Sequence, residues 1–149
     1  KLEITQQLSR GFDIKNYKKE YDINNIKNNL FYFEENILCK DHDFDIAISR
    51  SGASSLAELA HLNIPFIAIP FPFATDNHQF LNSKRYYDLN CCWILEEKNF
   101  NSDDIYKLIN QIMINKNEYL EKKINLKKLN ENATWENVNN KLIKNINDN

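Results

Sequence analysis

The run Ser49-Arg50-Ser51-Gly52-Ala53-Ser54-Ser55 is the part of this 149-residue chain best equipped to hold an oxygen-rich anion. Small residues ahead of a helix leave backbone N–H groups without intrahelical partners, which suits phosphate or sugar oxygens. Gly52 is one of only two glycines; its place there implies a positive φ or close approach of a ligand to the backbone, or else a plain strand-to-helix turn. Ser55 and Glu58 stand three apart and read in two ways. They fit a capping box, in which the carboxylate serves its own helix. Equally, the two carboxylate oxygens of Glu58 match the 2′ and 3′ hydroxyls of a ribose, a charge-assisted pairing. Arg50 can neutralise a phosphate or pair with nearby Asp residues.

A second cluster ends Thr75-Asp76-Asn77-His78-Gln79-Phe80-Leu81-Asn82. On a helix, His78, Gln79 and Asn82 fall within one turn, a set of donors and acceptors suited to a neutral polyhydroxyl ligand. The competing reading makes Asp76-x-x-Gln79 another capping box and His78 a surface residue. A third segment, Phe33-Glu34-Glu35-Asn36-Ile37, offers backbone N–H and C=O to a planar base, with Phe33 as an apolar wall. There is no HExxH, no GxSxG, no Walker-type glycine loop and no Cys/His cluster at metal spacing, so covalent and metal chemistry have no support. His42, in Asp41-His42-Asp43, reads as a surface residue and His61 as a helix-end residue.

The rest of the composition narrows the class. A hydrophobic fraction of 42% and a charged fraction of 27% belong to an ordinary globular protein, and 149 residues bury one core. The net charge of −2 lacks the basic face that a nucleic-acid or anionic-membrane footprint needs. No window of 18 apolar residues and no signal peptide is present, so the chain reads as cytosolic. Cys39, Cys91 and Cys92 read as buried free thiols. The 24 Asn residues are scattered among periodic apolar positions and read as mutational bias. A first residue that is Lys and not Met suggests part of something longer.

Strands are expected at Leu2 to Gln7, Asn29 to Phe33, Asp45 to Ser49, Pro65 to Pro70 and Cys91 to Leu95. Between them, helices are expected at Asp13 to Tyr21, after Glu34-Glu35, at Ser54 to Leu62 with Leu56, Leu59 and Ala60 on one face, and from the capping Asp76 to Leu89. Three more follow at Ser102–Asn115, Asn117–Asn130 and Thr134–Asn147, the last with a stripe of Trp135, Val138, Leu142 and Ile146. Alternating strands and helices joined by short loops imply an α/β fold: right-handed crossovers and a parallel sheet with helices on both faces. Ligands in such sheets sit outside the carboxyl ends of the strands, where all three clusters fall.

Phe33-Glu34-Glu35-Asn36-Ile37, then Arg50-Ser51-Gly52-Ala53 leading to Glu58, then Pro70-Phe71-Pro72 through Asn77-His78-Gln79 to Asn82, together resemble the C-terminal half of the MurG family, glycosyltransferase family 28. The resemblance implies a GT-B architecture of two Rossmann-like domains, the donor UDP-GlcNAc held by the C-terminal one, no metal and no cofactor. It implies an inverting N-acetylglucosaminyl transfer that converts lipid I to lipid II in peptidoglycan biosynthesis. Carried onto this chain, the donor-binding residues are Glu34, Arg50, Ser51, Gly52, Ala53, Ser55, Glu58, His78, Gln79 and Asn82. The backbone at Glu34 meets the uracil, Glu58 the ribose, Ser55 a phosphate and the backbone of Ala53 the sugar; His78, Gln79 and Asn82 read the sugar hydroxyls.

The family's N-terminal domain, with acceptor binding, peripheral membrane association at the cytoplasmic face of the inner membrane and the proposed base, has no counterpart here. The glycine-rich diphosphate loop is also without one, and Leu8-Ser9-Arg10-Gly11 departs from the family pattern. No catalytic residue is therefore expected in this chain, and the chain alone is expected to bind donor weakly and transfer nothing. Residues 1–131 are expected to form an incomplete Rossmann-like domain, and 132–149 a helix packing on it or toward the other domain. Two further readings are a non-catalytic donor subunit of a split transferase and a related GT-B lipid glycosyltransferase.

Overall fold

A computed structural model of the chain describes residues 2–34, 37, 44–99 and 101–133. Cys39, His42, most of the turn expected after Glu34-Glu35 and the helix expected at Thr134–Asn147, with its apolar stripe, lie outside these residues. The chain forms two compact units, Lys1–His42 and Asp43–Asn149.

The first unit is a β-α-β element: β1 (Glu3–Gln7), α1 (Ile14–Ile23) and β2 (Lys27–Phe31). The strands pair in parallel, Glu3 opposite Lys27 and Gln7 opposite Phe31. Asp13 caps α1 by accepting from the Lys15 N–H at 2.9 Å. β2 begins two residues before its expected start, because Lys27 and Asn28 are polar residues that still make the ladder with β1. Burial is slight, with Leu8 the buried apolar residue and none on α1. Polar ties compensate: the Tyr21 hydroxyl donates to Gln6 Oε1 at 2.6 Å, and the Tyr32 hydroxyl to the Phe12 carbonyl at 2.9 Å.

The second unit holds β3 (Ala47–Arg50), α2 (Ala53–His61), β4 (Phe66–Ile69), α3 (His78–Asp88), β5 (Cys92–Ile94), α4 (Ser102–Ile114) and α5 (Lys116–Asn132). The three strands are parallel in the order β3-β4-β5. β4 is central, and Phe66, Ile67 and Ala68 are fully buried, as a strand covered on both faces requires. Ile67 packs with Trp93 and with Ile112 of α4, whereas Phe66 meets Tyr86 of α3 edge-on at 5.5 Å. Adjacent residues of one strand thus point to opposite faces, each covered by its own helix. Leu56, Leu59 and Ala60 form the buried face of α2, at the expected spacing. Cys91 and Cys92 are buried free thiols; burial pushes both above the usual thiol range, Cys92 to about 12.

Helices α1, α2 and α3 end in one way. Asn25, Asn63 and Asn90 take left-handed φ values of 51° to 56° just beyond each helix. The next residue's N–H reaches back to a carbonyl in the last turn: Ile26 to Tyr21 at 2.9 Å, Ile64 to Leu59 at 3.0 Å and Cys91 to Tyr86 at 2.8 Å. These are Schellman closures with Asn where Gly is the usual occupant. The side chains of α5 then dock on two of them. Asn130 Nδ2 donates to Asn63 Oδ1 at 3.1 Å, and Lys122 Nζ to Asn90 Oδ1 at 2.6 Å.

Candidate functional site

The carboxyl edge of the second unit gathers the loops that follow β3, β4 and β5. After β3 the chain turns through Ser51 and Gly52 directly into α2. Gly52 is the N-cap residue, with φ −65° and ψ 137°. Of the alternatives for Gly52 this removes the positive φ, since neither glycine has one, and leaves close ligand approach or a plain turn. A Cβ on Gly52 would meet nothing closer than Ser55 Oγ at 3.8 Å, so the space above its backbone is open. The capping-box reading of Ser55 and Glu58 is not realised, because the N-cap is Gly52, three residues before Ser55, and no side chain caps the helix. Leu56 N–H is bonded to the Gly52 carbonyl at 3.0 Å, and α2 presents its first turn, Ala53-Ser54-Ser55, exposed at its positive end. Glu58 is exposed, and although its backbone carbonyl accepts from the Leu62 N–H at 3.0 Å, its carboxylate has no hydrogen bond or ion pair among the described residues. Ser51 is fully buried, and its Oγ is the buried side-chain oxygen without a hydrogen-bond partner among them.

The loop after β4 passes Phe71, Pro72 and Phe73 and enters α3 through a 3₁₀ turn, Thr75–Asn77. Asp76 and Asn77 both have left-handed φ, and neither caps the helix. The expected Asp76-x-x-Gln79 box is thus replaced by a different use of Gln79, whose Oε1 accepts from the Phe71 N–H at 3.0 Å. Asn82 Nδ2 donates to the Ser51 carbonyl at 3.1 Å, tying α3 to the β3 loop. His78, exposed as that reading expects, donates from Nδ1 to the Thr75 carbonyl at 2.7 Å. Each bond uses one end of a two-ended polar group. Gln79 keeps its NH₂ donors, Asn82 its Oδ1 acceptor and His78 its Nε2, all at the same edge.

The carboxylate partner of Arg50 is a Glu and not an Asp. Its Nη1 donates to Glu97 Oε2, in the turn after β5, and its guanidinium stands 5.6 Å from the Phe71 ring centroid. The hydrogen bond from Arg50 holds the Glu97 carboxyl below its usual range. Glu97 is the residue of this edge that sequence reasoning missed, since no local pattern links positions 47 residues apart, and Phe71 enters the sequence reading only within the Pro70-Phe71-Pro72 motif, with no role assigned. Ile48, Ser49, Arg50, Ile69 and Glu97 line a depression of about 220 Å³ beside this pair. A larger depression, about 420 Å³, lies at the opposite end of β3 beside Asp45, Ile46, Met113 and Leu120, and its lining is mostly apolar. Glu34 follows β2 in the first unit; Glu35 and Asn36 lie outside the described residues. Among the described residues no group of three or more His, Cys, Asp or Glu side chains could hold a metal.

Parallel strands, helices on both faces and loops converging on the carboxyl edge define a Rossmann-like α/β protein. Residues 1–137 match the family model of the glycosyltransferase family 28 C-terminal domain, and the chain belongs to that family. Over its whole length it is 40% identical to the UDP-N-acetylglucosamine--N-acetylmuramyl-(pentapeptide) pyrophosphoryl-undecaprenol N-acetylglucosamine transferase of Pelagibacter ubique, of which it covers 42%. The enzyme of the same name from Campylobacter jejuni subsp. doylei is 40% identical over 71% of this chain and 31% of its own. The crystal structure of Acinetobacter baumannii MurG superposes with a TM-score of 0.73 at 22% identity, over 85% of this chain and 37% of that one, a likeness of fold. The chain therefore spans less than half the length of the relatives it matches.

Proposed function

We propose that this chain is the donor-binding part of an inverting N-acetylglucosaminyltransferase, holding UDP-GlcNAc at the carboxyl edge of its second unit. The observation that carries the reading is the coincidence of an uncapped α2 N-terminus with an internally unpaired carboxylate, Glu58, on the same helix. Backbone N–H groups at the start of α2, with the Ser55 hydroxyl, suit the diphosphate. The two oxygens of Glu58 suit a ribose diol, and the open backbone at Gly52-Ala53 admits the sugar. The free ends of His78, Gln79 and Asn82 then read its hydroxyls. The uracil contact at Glu34 belongs to the first unit and stands on the family resemblance alone.

The curated relatives are named for transfer of N-acetylglucosamine to a pyrophosphoryl-undecaprenol-linked acceptor. In the reading proposed here the acceptor lipid, the peripheral contact with the cytoplasmic face of the membrane and the general base belong to the part of those relatives that this chain does not span. That base deprotonates the acceptor hydroxyl, which attacks the anomeric carbon as the α2 N-terminus stabilises departing UDP. No helix among the described residues is long and apolar enough to cross a membrane.

Calorimetric titration of UDP tests the donor assignment. Glu58→Ala removes charge-assisted bonds of about 1.5–3 kcal/mol each, so UDP binding weakens about tenfold or more. Unchanged affinity overturns the assignment.

A further inference from the structure

Three loops meet on one side chain. Arg50 ends β3; its guanidinium donates through Nη1 to Glu97 after β5 and stands over the Phe71 ring after β4, 5.6 Å from its centroid. Phe71 in turn holds Gln79 through its N–H at 3.0 Å and meets Phe73 edge-on at 5.7 Å. A planar guanidinium can serve a carboxylate with its edge and an aromatic ring with its face at once, which an ammonium cannot do.

Two roles for Arg50 make opposite demands on Glu97. As a free ligand for phosphate, Arg50 would have Glu97 as a competitor, and removing that carboxylate would tighten nucleotide binding. As a strut, Arg50 needs Glu97 to hold it over Phe71, and removing the carboxylate would loosen the loop that carries Gln79. The geometry favours the second, because the guanidinium already has a partner on each side and Phe71 is itself bonded to a residue of the sugar-reading cluster.

We infer that Glu97 is a positioning residue of the donor site: through Arg50 it fixes Phe71, and with it Gln79, in the orientation that meets the donor sugar. The inference rests on the reading of this edge as a nucleotide-sugar site.

Amide exchange followed by NMR on this chain, without nucleotide, tests the strut directly. Glu97→Gln speeds exchange of the Phe71 amide about two- to fivefold, the range that a partly exposed ion pair can contribute. Arg50→Met does the same, and Glu97→Gln adds nothing in the Arg50→Met background, since Glu97 acts only through Arg50. UDP-GlcNAc binding, which engages Gln79 through the sugar, weakens by a similar factor in each variant. Unchanged Phe71 exchange, a Glu97→Gln effect that persists without Arg50, or tighter UDP-GlcNAc binding would each overturn the proposal. If Glu58→Ala leaves UDP affinity intact, the donor reading fails, while the exchange measurement still judges the strut by itself.

Discussion

Asn90 supplies two separable energies, and substitution can pull them apart. Its φ of 51° closes α3, with the Cys91 N–H on the Tyr86 carbonyl. Its side-chain oxygen accepts at 2.6 Å from Lys122 Nζ, an ammonium on a side chain only 5% exposed that also stands 4.7 Å from the Trp93 ring centroid. Asn90→Gly keeps the left-handed turn and relieves about 1 kcal/mol of its strain, but loses a hydrogen bond to a charged group, about 1.5–3 kcal/mol. The net loss is about 0.5–2 kcal/mol. Asn90→Ala loses the same bond and retains a Cβ without the local hydrogen bonding that lets Asn tolerate this region, so the loss rises to about 2–4 kcal/mol. Urea unfolding followed by Trp fluorescence reads the difference: at an m-value of about 1–2 kcal/mol/M, the midpoints of the Gly and Ala variants separate by about 1 M. Equal midpoints would show that the backbone conformation contributes nothing. A Gly variant as stable as the parent would put the Lys122 bond at no more than the strain relieved, about 1 kcal/mol, below the range expected for a charged partner.

Gly52→Ala folds with little loss of stability, because its φ is negative and a Cβ there meets only Ser55 Oγ at 3.8 Å; a drop in UDP-GlcNAc affinity at unchanged midpoint is the expected sign of close ligand approach. Asn82→Ala leaves the Ser51 carbonyl without that donor. It should cost about 1 kcal/mol in denaturant unfolding and weaken UDP-GlcNAc binding as well; a stability loss with unchanged affinity would reduce Asn82 to a tether. The Cys92 thiol, at about 12 against an ordinary 9.0, favours the folded state fully below pH 9. That contribution, up to about 4 kcal/mol, is lost as pH rises from 9 towards 12, so Cys92→Ala should flatten the alkaline decline in unfolding free energy over that window.

What could be read along the chain depended on whether burial and local pattern agreed. β4 was legible because its residues are apolar on both faces between two prolines, and the buried Phe66, Ile67 and Ala68 leave no other arrangement. β2 was displaced because Lys27-Asn28-Asn29 pair with β1 without any apolar signature. The Asn excess reads as mutational bias, yet among the described residues four of the five left-handed residues other than glycine are Asn, and neither glycine is left-handed. Whatever drove the composition, Asn occupies turns that elsewhere call for Gly, because its short amide side chain tolerates that region best among L-residues. The amides of Asn63 and Asn90 then acquire bonds from α5, so those helix ends became anchors for the helix that follows later in the chain.

The site was legible to the level of loops and ambiguous at the level of bonds. Two capping boxes were consistent with spacing, and neither exists, because a cap depends on where the helix starts: Gly52 opens α2 three residues before Ser55, and Asn77 opens α3 with left-handed backbone. The consequence for function is not neutral. A Glu58 engaged with its own helix would have to break that bond before meeting a diol, whereas the exposed carboxylate is ready to accept. The opposite holds for Gln79, Asn82 and His78, whose internal bonds at 3.0, 3.1 and 2.7 Å fix one end of each side chain. Fixing that end restrains the rotamer and aims the free end, so the ordering cost of binding a ligand there is partly met when the loop folds. A strut through Arg50 extends the same logic by one step, to the residue whose N–H Gln79 accepts. The edge therefore combines a carboxylate left free with amides left half-used, the arrangement expected where polar side chains must be ready for a ligand before it arrives.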